Sequence, residues 1–131
     1  MKKITINGVE YDCMSNALTR LHYKKLFGVG LFQDISKMNT INKKQVILEN
    51  QLKAEGLNEE DIKKELNEAM LEYTDDLLDI VERFAYVLIY TANPNFKSFE
   101  EWLSEESMAT IDFESDWIQE VTDYLVSTFH R

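Results

Sequence analysis

The chain has 131 residues, of which 44% are hydrophobic, and a formal net charge of −10 at neutral pH. This length and this hydrophobic content predict one folded domain spanning residues 1–131 and exclude an intrinsically disordered chain. The surplus of carboxylates disfavours nucleic acid and anionic membrane surfaces as partners, because like charges repel one another at long range.

The apolar runs are too short for a membrane protein. The longest, Phe84 to Tyr90, falls far below the ~20 residues that a spanning helix needs. The N-terminal residues lack the apolar core of a signal peptide. Cys13 is the single cysteine, which excludes an internal disulfide and fits a reducing compartment. We therefore expect a cytoplasmic protein.

A β-hairpin is predicted over residues 3–13. Asn7-Gly8 stands between two alternating runs, and this dipeptide favours a type I′ turn because both central residues need a positive φ. A two-residue turn pairs Ile6 with Val9 and sets the register of both strands. The residues on the apolar face are then Ile4, Ile6, Val9 and Tyr11. An isolated hairpin is marginally stable in water, so this face is expected to pack on helices.

A helical body is predicted over residues 15–129. Ser15 is the expected cap of a first helix over residues 16–27, which Gly28 ends. Leu31 to Met38 has the apolar spacing of a short second helix.

The segment after that short helix is polar. Residues 39–44 read Asn-Thr-Ile-Asn-Lys-Lys, which predicts a mobile loop. An amphipathic segment follows from Gln45 to Glu55 and is closed by Gly56. The two short helices are therefore expected to be separate elements.

The longest helical signal runs from Asn58 to about Asn93. Apolar residues recur there at steps of three and four, Asn58 can cap the start, and Asn93-Pro94 ends the run. A continuous helix of that length would extend about 50 Å at about 1.5 Å per residue. The pattern therefore predicts either one long central helix or two helices that meet near Thr74-Asp75.

The C-terminal third carries two further helical signals. Ser98 to Glu101 fits a capping box that starts a short helix, and residues 116–129 have one apolar side. Residues 105–115 are acidic and are expected to be irregular. The whole pattern predicts a mainly α fold with a minor β part, in which an N-terminal hairpin packs on a helical bundle with one long central helix.

The chain offers little for catalysis. His22 lies within a predicted helix, His130 is the penultimate residue, and no spacing brings either beside Cys13. The carboxylates of the long helical segment lack the Glu-x-x-His pattern of helical metal sites and fit a solvated face. We therefore expect no enzyme, no cofactor and no metal site.

Three stretches together resemble the tail assembly chaperones of long-tailed phages and prophages of Gram-positive bacteria. The first is Ile6 to Tyr11, followed by Leu26-Phe27-Gly28 and Asp34-Ile35. The second is the aromatic run Phe84 to Tyr90, and the third is Ser98 to Leu103, followed by an amphipathic helix. The resemblance extends over nearly the whole chain as an order of elements.

This resemblance implies a small helical protein that acts in the host cytoplasm and is absent from the mature virion. It implies binding to the tape measure protein, recruitment of tail tube subunits and weak self-association along the tape. Aromatic residues are concentrated in the final third of the chain and suit contacts with a partner helix. The predicted partner-binding residues are Tyr86, Tyr90, Phe99, Trp102 and Trp117.

An acidic protein that mimics DNA and inhibits a nuclease or a repressor is the alternative interpretation. Such a protein needs carboxylates spaced like phosphates on one surface. Here, lysines alternate with the acids early in the long helical segment, at Lys63 and Lys64, which argues against mimicry. Competition with duplex DNA for a basic protein distinguishes the two functions.

Overall fold

The computed structural model describes residues 1–129 as a mainly α-helical protein with an N-terminal β-hairpin. The strands are β1 (Lys2–Ile6) and β2 (Val9–Cys13). The helices are α1 (Ala17–Phe27), α2 (Leu31–Ala54), α3 (Glu59–Ala69), α4 (Thr74–Ala92), α5 (Phe99–Leu103) and α6 (Asp116–Ser127). The predicted fold class is confirmed.

The chain divides into two compact units. The first contains Met1–Gly30 and the chain from Val81 onwards, and the second contains Leu31–Ile80. Helix α4 contributes residues to both units because Ile80 and Val81 lie within it. The organisation of residues 1–131 as a single domain stays a prediction.

The hairpin has the predicted register, with Ile6 paired with Val9 and Ile4 with Tyr11. Asn7 and Gly8 have φ values of 50° and 86°, as a type I′ turn requires. The side-chain Nδ2 of Asn7 also donates hydrogen bonds to the backbone carbonyl oxygens of Ser107 (2.9 Å) and Thr110 (3.0 Å). The turn is therefore held at its tip by a distant part of the first unit.

The buried face of the hairpin is shifted from the predicted one: Cys13 joins it, Tyr11 is half-buried and Val9 is exposed. Ile4, Ile6 and Cys13 are fully buried, and β1 packs on α6. Val9 is 40% exposed, although it faces the fully buried Ile6 across the turn. The alternation of apolar and polar residues identified the inward-facing side of the hairpin. It did not show that the helices leave Val9, at the turn end of this side, exposed.

Helix α1 begins one residue later than predicted. Its cap is Asn16, whose side chain accepts a hydrogen bond from the Leu18 amide at 2.9 Å, while the Thr19 hydroxyl accepts one from the Asn16 amide. Gly28 ends the helix at φ 72°, as predicted, and donates its amide to the Lys24 carbonyl. Both ends of α1 are therefore capped by local bonds.

The predicted loop over residues 39–44 is wrong, because these residues lie inside the continuous helix α2. The segment contains no Gly or Pro, and Met38 and Ile41 are both buried, one helical step apart. The Thr40 hydroxyl donates to the Ser36 carbonyl at 3.0 Å, one turn earlier. The polar residues that suggested a loop are simply the solvent-facing side of a helix.

The helical run that begins at Asn58 is broken, as the second of the two interpretations predicted. Asn58 caps α3 by accepting from the Asp61 amide at 2.8 Å, and α3 ends at Ala69. A 3₁₀ turn over Leu71–Tyr73 follows, and α4 begins at Thr74. The longest helix is therefore α2, with 24 residues.

The C-terminal elements follow the predicted caps. The Ser98 hydroxyl accepts a hydrogen bond from the Glu101 amide at 3.2 Å, and α5 follows it. Residues 105–115 contain only a 3₁₀ turn at Glu106–Met108 before α6. Within residues 1–129, no helix combines the length and the apolar character that crossing a bilayer requires.

Candidate protein-binding surfaces

Aromatic side chains form one connected cluster inside the first unit. The members of this aromatic cluster are Tyr11, Tyr23, Phe27, Phe84, Tyr86, Tyr90, Phe96, Phe99 and Trp102. Neighbouring rings lie 5.0 to 6.4 Å apart between centroids, mostly edge to face. This is the favourable geometry for aromatic pairs, so the cluster stabilises the contacts among the hairpin, α1, α4 and α5.

Tyr86 is the centre of the aromatic cluster. Its ring contacts Phe99 at 5.2 Å and Trp102 at 5.9 Å, and its hydroxyl donates a 2.7 Å hydrogen bond to the Lys97 carbonyl. Burial raises the pKa of the Tyr86 hydroxyl, and the neighbouring Tyr90 adds to the increase. The phenol is thus held neutral as a hydrogen-bond donor, which is a structural role.

The two tryptophans are also internal. Trp102 is fully buried, and its indole Nε1 donates to the Tyr11 hydroxyl at 3.1 Å, which ties α5 to the hairpin. Trp117 is 4% exposed, in the first turn of α6, and its Nε1 has no hydrogen-bond partner among the described residues. Both indoles contribute to the core of the first unit.

The predicted partner-binding residues therefore divide into two groups. Tyr86, Trp102 and Trp117 are buried, so in this structure they present no surface to a partner. Tyr90 and Phe99 are half-buried at the edge of the aromatic cluster. Contact of these residues with a partner stays a prediction, and only Tyr90 and Phe99 are accessible enough to make one.

Two pairs of aliphatic residues are exposed instead. On α1, Leu18 and Leu21 are 54% and 50% exposed, one helical step apart. On α2, the adjacent Val46 and Ile47 are 54% and 58% exposed, and we name these two residues the α2 pair. Leu18 and Leu21 lie opposite the buried side of α1. Val46 and Ile47 lie in a stretch of α2, residues 42–51, in which no residue is buried, so both pairs are available to a partner.

The exposure of Leu18 and Leu21 could have been inferred from the distribution of apolar residues around α1. Helix α1 has apolar residues nearly all round, so a helix buried on one side must leave some of them in solvent. Thr19 and Tyr23 are the fully buried residues, and they define the inner side. Leu18 and Leu21 point away from it.

Cys13 and His22, two of the side chains considered for catalysis, form no hydrogen bond with each other. Cys13 is buried, and burial raises the pKa of its thiol to about 12. His22 is half-buried against the Tyr90 ring at 5.1 Å between centroids, and His130 lies outside the described residues. Residues 1–129 hold no group of three or more His, Cys, Asp or Glu side chains placed to bind a metal ion.

Comparison with protein-family models, with curated proteins and with solved structures gives no significant match for this chain.

Proposed function

We propose that this protein is a tail assembly chaperone of a long-tailed phage or prophage, which binds helical segments of the tape measure protein. In this proposal the chain acts in the host cytoplasm, keeps the tape measure soluble and helps to recruit tail tube subunits. It is absent from the finished virion.

The observation that carries the proposal is the exposure of the two aliphatic pairs on helices. A tape measure is a long helical protein whose apolar seams aggregate when they are not covered. Leu18 and Leu21 offer such seams an apolar strip about one helical turn long, and the adjacent Val46 and Ile47 offer a second, shorter one. Binding through these strips leaves the cores of both units intact.

Charge supports the same function. A carrier that exposes apolar residues needs a large net charge to stay dispersed, and this chain carries −10. Most of the surplus lies after residue 54, where acids outnumber bases by 15, whereas residues 1–54 have a surplus of 5 bases. The apolar strips on α1 and α2 both lie in the basic part of the sequence, whereas the surplus of acids that maintains solubility lies in the later part.

Co-expression tests the proposal. The proposal expects a tape measure protein to be encoded beside this chain. That protein is produced alone, with the wild-type chain, and with a variant carrying Leu18→Ser, Leu21→Ser, Val46→Ser and Ile47→Ser. We expect the tape measure to become soluble and to co-purify with the wild type, and to remain insoluble with the variant.

The matched control replaces four residues that lie inside no apolar strip, Thr5→Ser, Asn50→Ser, Asn67→Ser and Thr110→Ser, and should act like the wild type. These residues are exposed, so the control carries the same number of serine substitutions without loss of apolar surface. A tape measure that stays insoluble with the wild-type chain contradicts the proposed function.

A further inference from the structure

The outer face of α1 combines leucines with cationic side chains. We define the α1 outer face by its five exposed large residues: Leu18, Arg20, Leu21, Lys24 and Lys25. Leu18, Leu21 and Lys25 follow one another at steps of three and four, and Arg20 and Lys24 form a parallel row one turn apart. An apolar strip is thus flanked by positive charge along one side and at its C-terminal end.

Residues 1–129 do not neutralise these cations. Within the described part of the chain, the side chains of Arg20, Lys24 and Lys25 form no ion pair. Helix α1 itself contains no acidic residue. Lys24 and Lys25 lie in the last turn of α1, where the helix dipole favours cations, and their charges stay available to a partner.

The face is held rigidly. On the inner side, Thr19 and Tyr23 are fully buried, and the Thr19 hydroxyl lies 3.3 Å from that of Thr91 on α4. The Tyr23 hydroxyl accepts a hydrogen bond from Arg83 Nε at 3.3 Å. Because both ends of α1 are also capped, its exposed side chains are presented on a backbone that loses little entropy when a partner binds.

We propose that the α1 outer face binds an acidic amphipathic helix of the partner protein, with the partner's apolar seam on Leu18 and Leu21 and its carboxylates against Arg20, Lys24 and Lys25. This inference rests on the proposed function and specifies the chemistry of the tape measure segment that is recognised. The rest of the chain has a surplus of acidic residues, which would repel an extensively acidic partner. The partner's carboxylates are therefore expected only on the helical segment that contacts α1.

Charge complementarity at short range favours this occupant over a nucleic acid or a membrane. At physiological salt the Debye length is about 8 Å, so three cations act on groups in direct contact while more distant acids are screened. A duplex or an anionic vesicle extends far beyond the face and meets the acidic remainder of the chain. The phosphates of a duplex also leave the two leucines without an apolar counterpart, whereas a helix seam covers them.

A peptide titration tests the proposal. The probe is a synthetic, fluorescently labelled helix of about 20 residues with leucines at steps of three and four flanked by glutamates, and the matched probe has lysines in place of the glutamates. We expect the acidic helix to bind the full chain and the basic helix to bind at least about tenfold more weakly. Added salt should weaken the acidic complex.

Variants locate the binding site. We expect about a tenfold loss of affinity for the acidic helix from Arg20→Glu with Lys24→Glu and Lys25→Glu, and a similar loss from Leu18→Ser with Leu21→Ser. The control carries Lys43→Glu and Leu71→Ser, two exposed residues outside the α1 outer face and the α2 pair, and should bind the acidic helix as the wild type does. All substituted residues are exposed, and circular dichroism checks that each variant is folded.

The outcomes separate this inference from the proposed function. A tape measure that is solubilised while the acidic helix binds no better than the basic helix overturns the inference alone. Peptide binding that depends on the α1 outer face, with no effect on the tape measure, supports the inference and refutes the proposed function. Tighter binding of duplex DNA or of phosphatidylglycerol vesicles through the same residues overturns the inference, as does concentration-dependent self-association that Leu18→Ser with Leu21→Ser abolishes.

Discussion

The two compact units of this protein are stabilised in different ways. The first contains the aromatic cluster and most of the fully buried side chains, among them Trp102, Tyr23 and Phe84. The second, Leu31–Ile80, has a thin aliphatic core. Its buried apolar residues are Leu31, Met38, Ile41, Leu52, Ile62 and Ile80.

This difference shows how a small chain combines a stable scaffold with exposed apolar surface. In the first unit, aromatic rings and buried hydrogen bonds fix α1 from its inner side, so its outer residues are not needed for folding. In the second unit, α3 buries only Ile62, and a helix of 11 residues is marginal without tertiary contacts. We therefore expect the second unit to open more readily than the first.

The largest expected effect comes from removing the buried indole of Trp102 from the first unit. Trp102→Ala deletes a fully buried indole, its hydrogen bond to Tyr11 and its contacts with Tyr86 and Phe99. We expect a loss of about 3–5 kcal/mol in the free energy of unfolding, measured by urea titration. Phe113→Ala, at an aromatic side chain that is 44% exposed, serves as the control and should cost far less. Equal losses from the two substitutions refute the role of the aromatic cluster.

A smaller and more local effect is expected in the second unit. Ile62→Ala removes the only buried side chain of α3, so the helix should open while the first unit stays folded. Hydrogen exchange should become faster at the amides of Glu59–Ala69 and change little at those of residues 84–89. The urea midpoint should shift less than for Trp102→Ala. Faster exchange of residues 84–89 to the same degree means that the two units unfold together.

The smallest expected effect is a chemical one and reports on the first unit. Burial raises the pKa of the Cys13 thiol to about 12, so at pH 8.5 almost none of the native protein carries the reactive thiolate. We expect Ellman's reagent to react slowly with the native chain between pH 7.5 and 9.5 and rapidly in guanidinium chloride. Rapid reaction of the native chain at pH 8.5 shows that the hairpin end opens frequently.

Local chemistry made much of the fold predictable. Asn7-Gly8 determines the hairpin register, Asn58 and Ser98 mark helix starts, and Gly28 marks a helix end. The continuity of α2 was missed because a run of polar residues has the same composition whether it lies in a loop or on the exposed face of a helix. The break after α3 was predicted only approximately, near Thr74-Asp75, because no Gly or Pro marks the 3₁₀ turn at Leu71–Tyr73.

The candidate binding residues were less predictable. An apolar pattern identifies residues that prefer burial, but the tertiary contacts decide which of them are buried. Tyr86 and Trp102 were predicted to contact a partner, but the structure places both in the core. Leu18 and Leu21, by contrast, are exposed. The cations on α1 were visible in the sequence, but whether they form ion pairs depends on which residues the fold brings near them, and within residues 1–129 they form none.

Hydrogen–deuterium exchange of the chain, alone and bound to the tape measure protein, tests most directly whether the outer surface of α1 binds the partner. Our account predicts slower exchange in the complex at Ala17–Phe27, with the amides of residues 84–89 unchanged. Slower exchange confined to residues 96–117, with α1 unaffected, contradicts the account and places binding at the edge of the aromatic cluster.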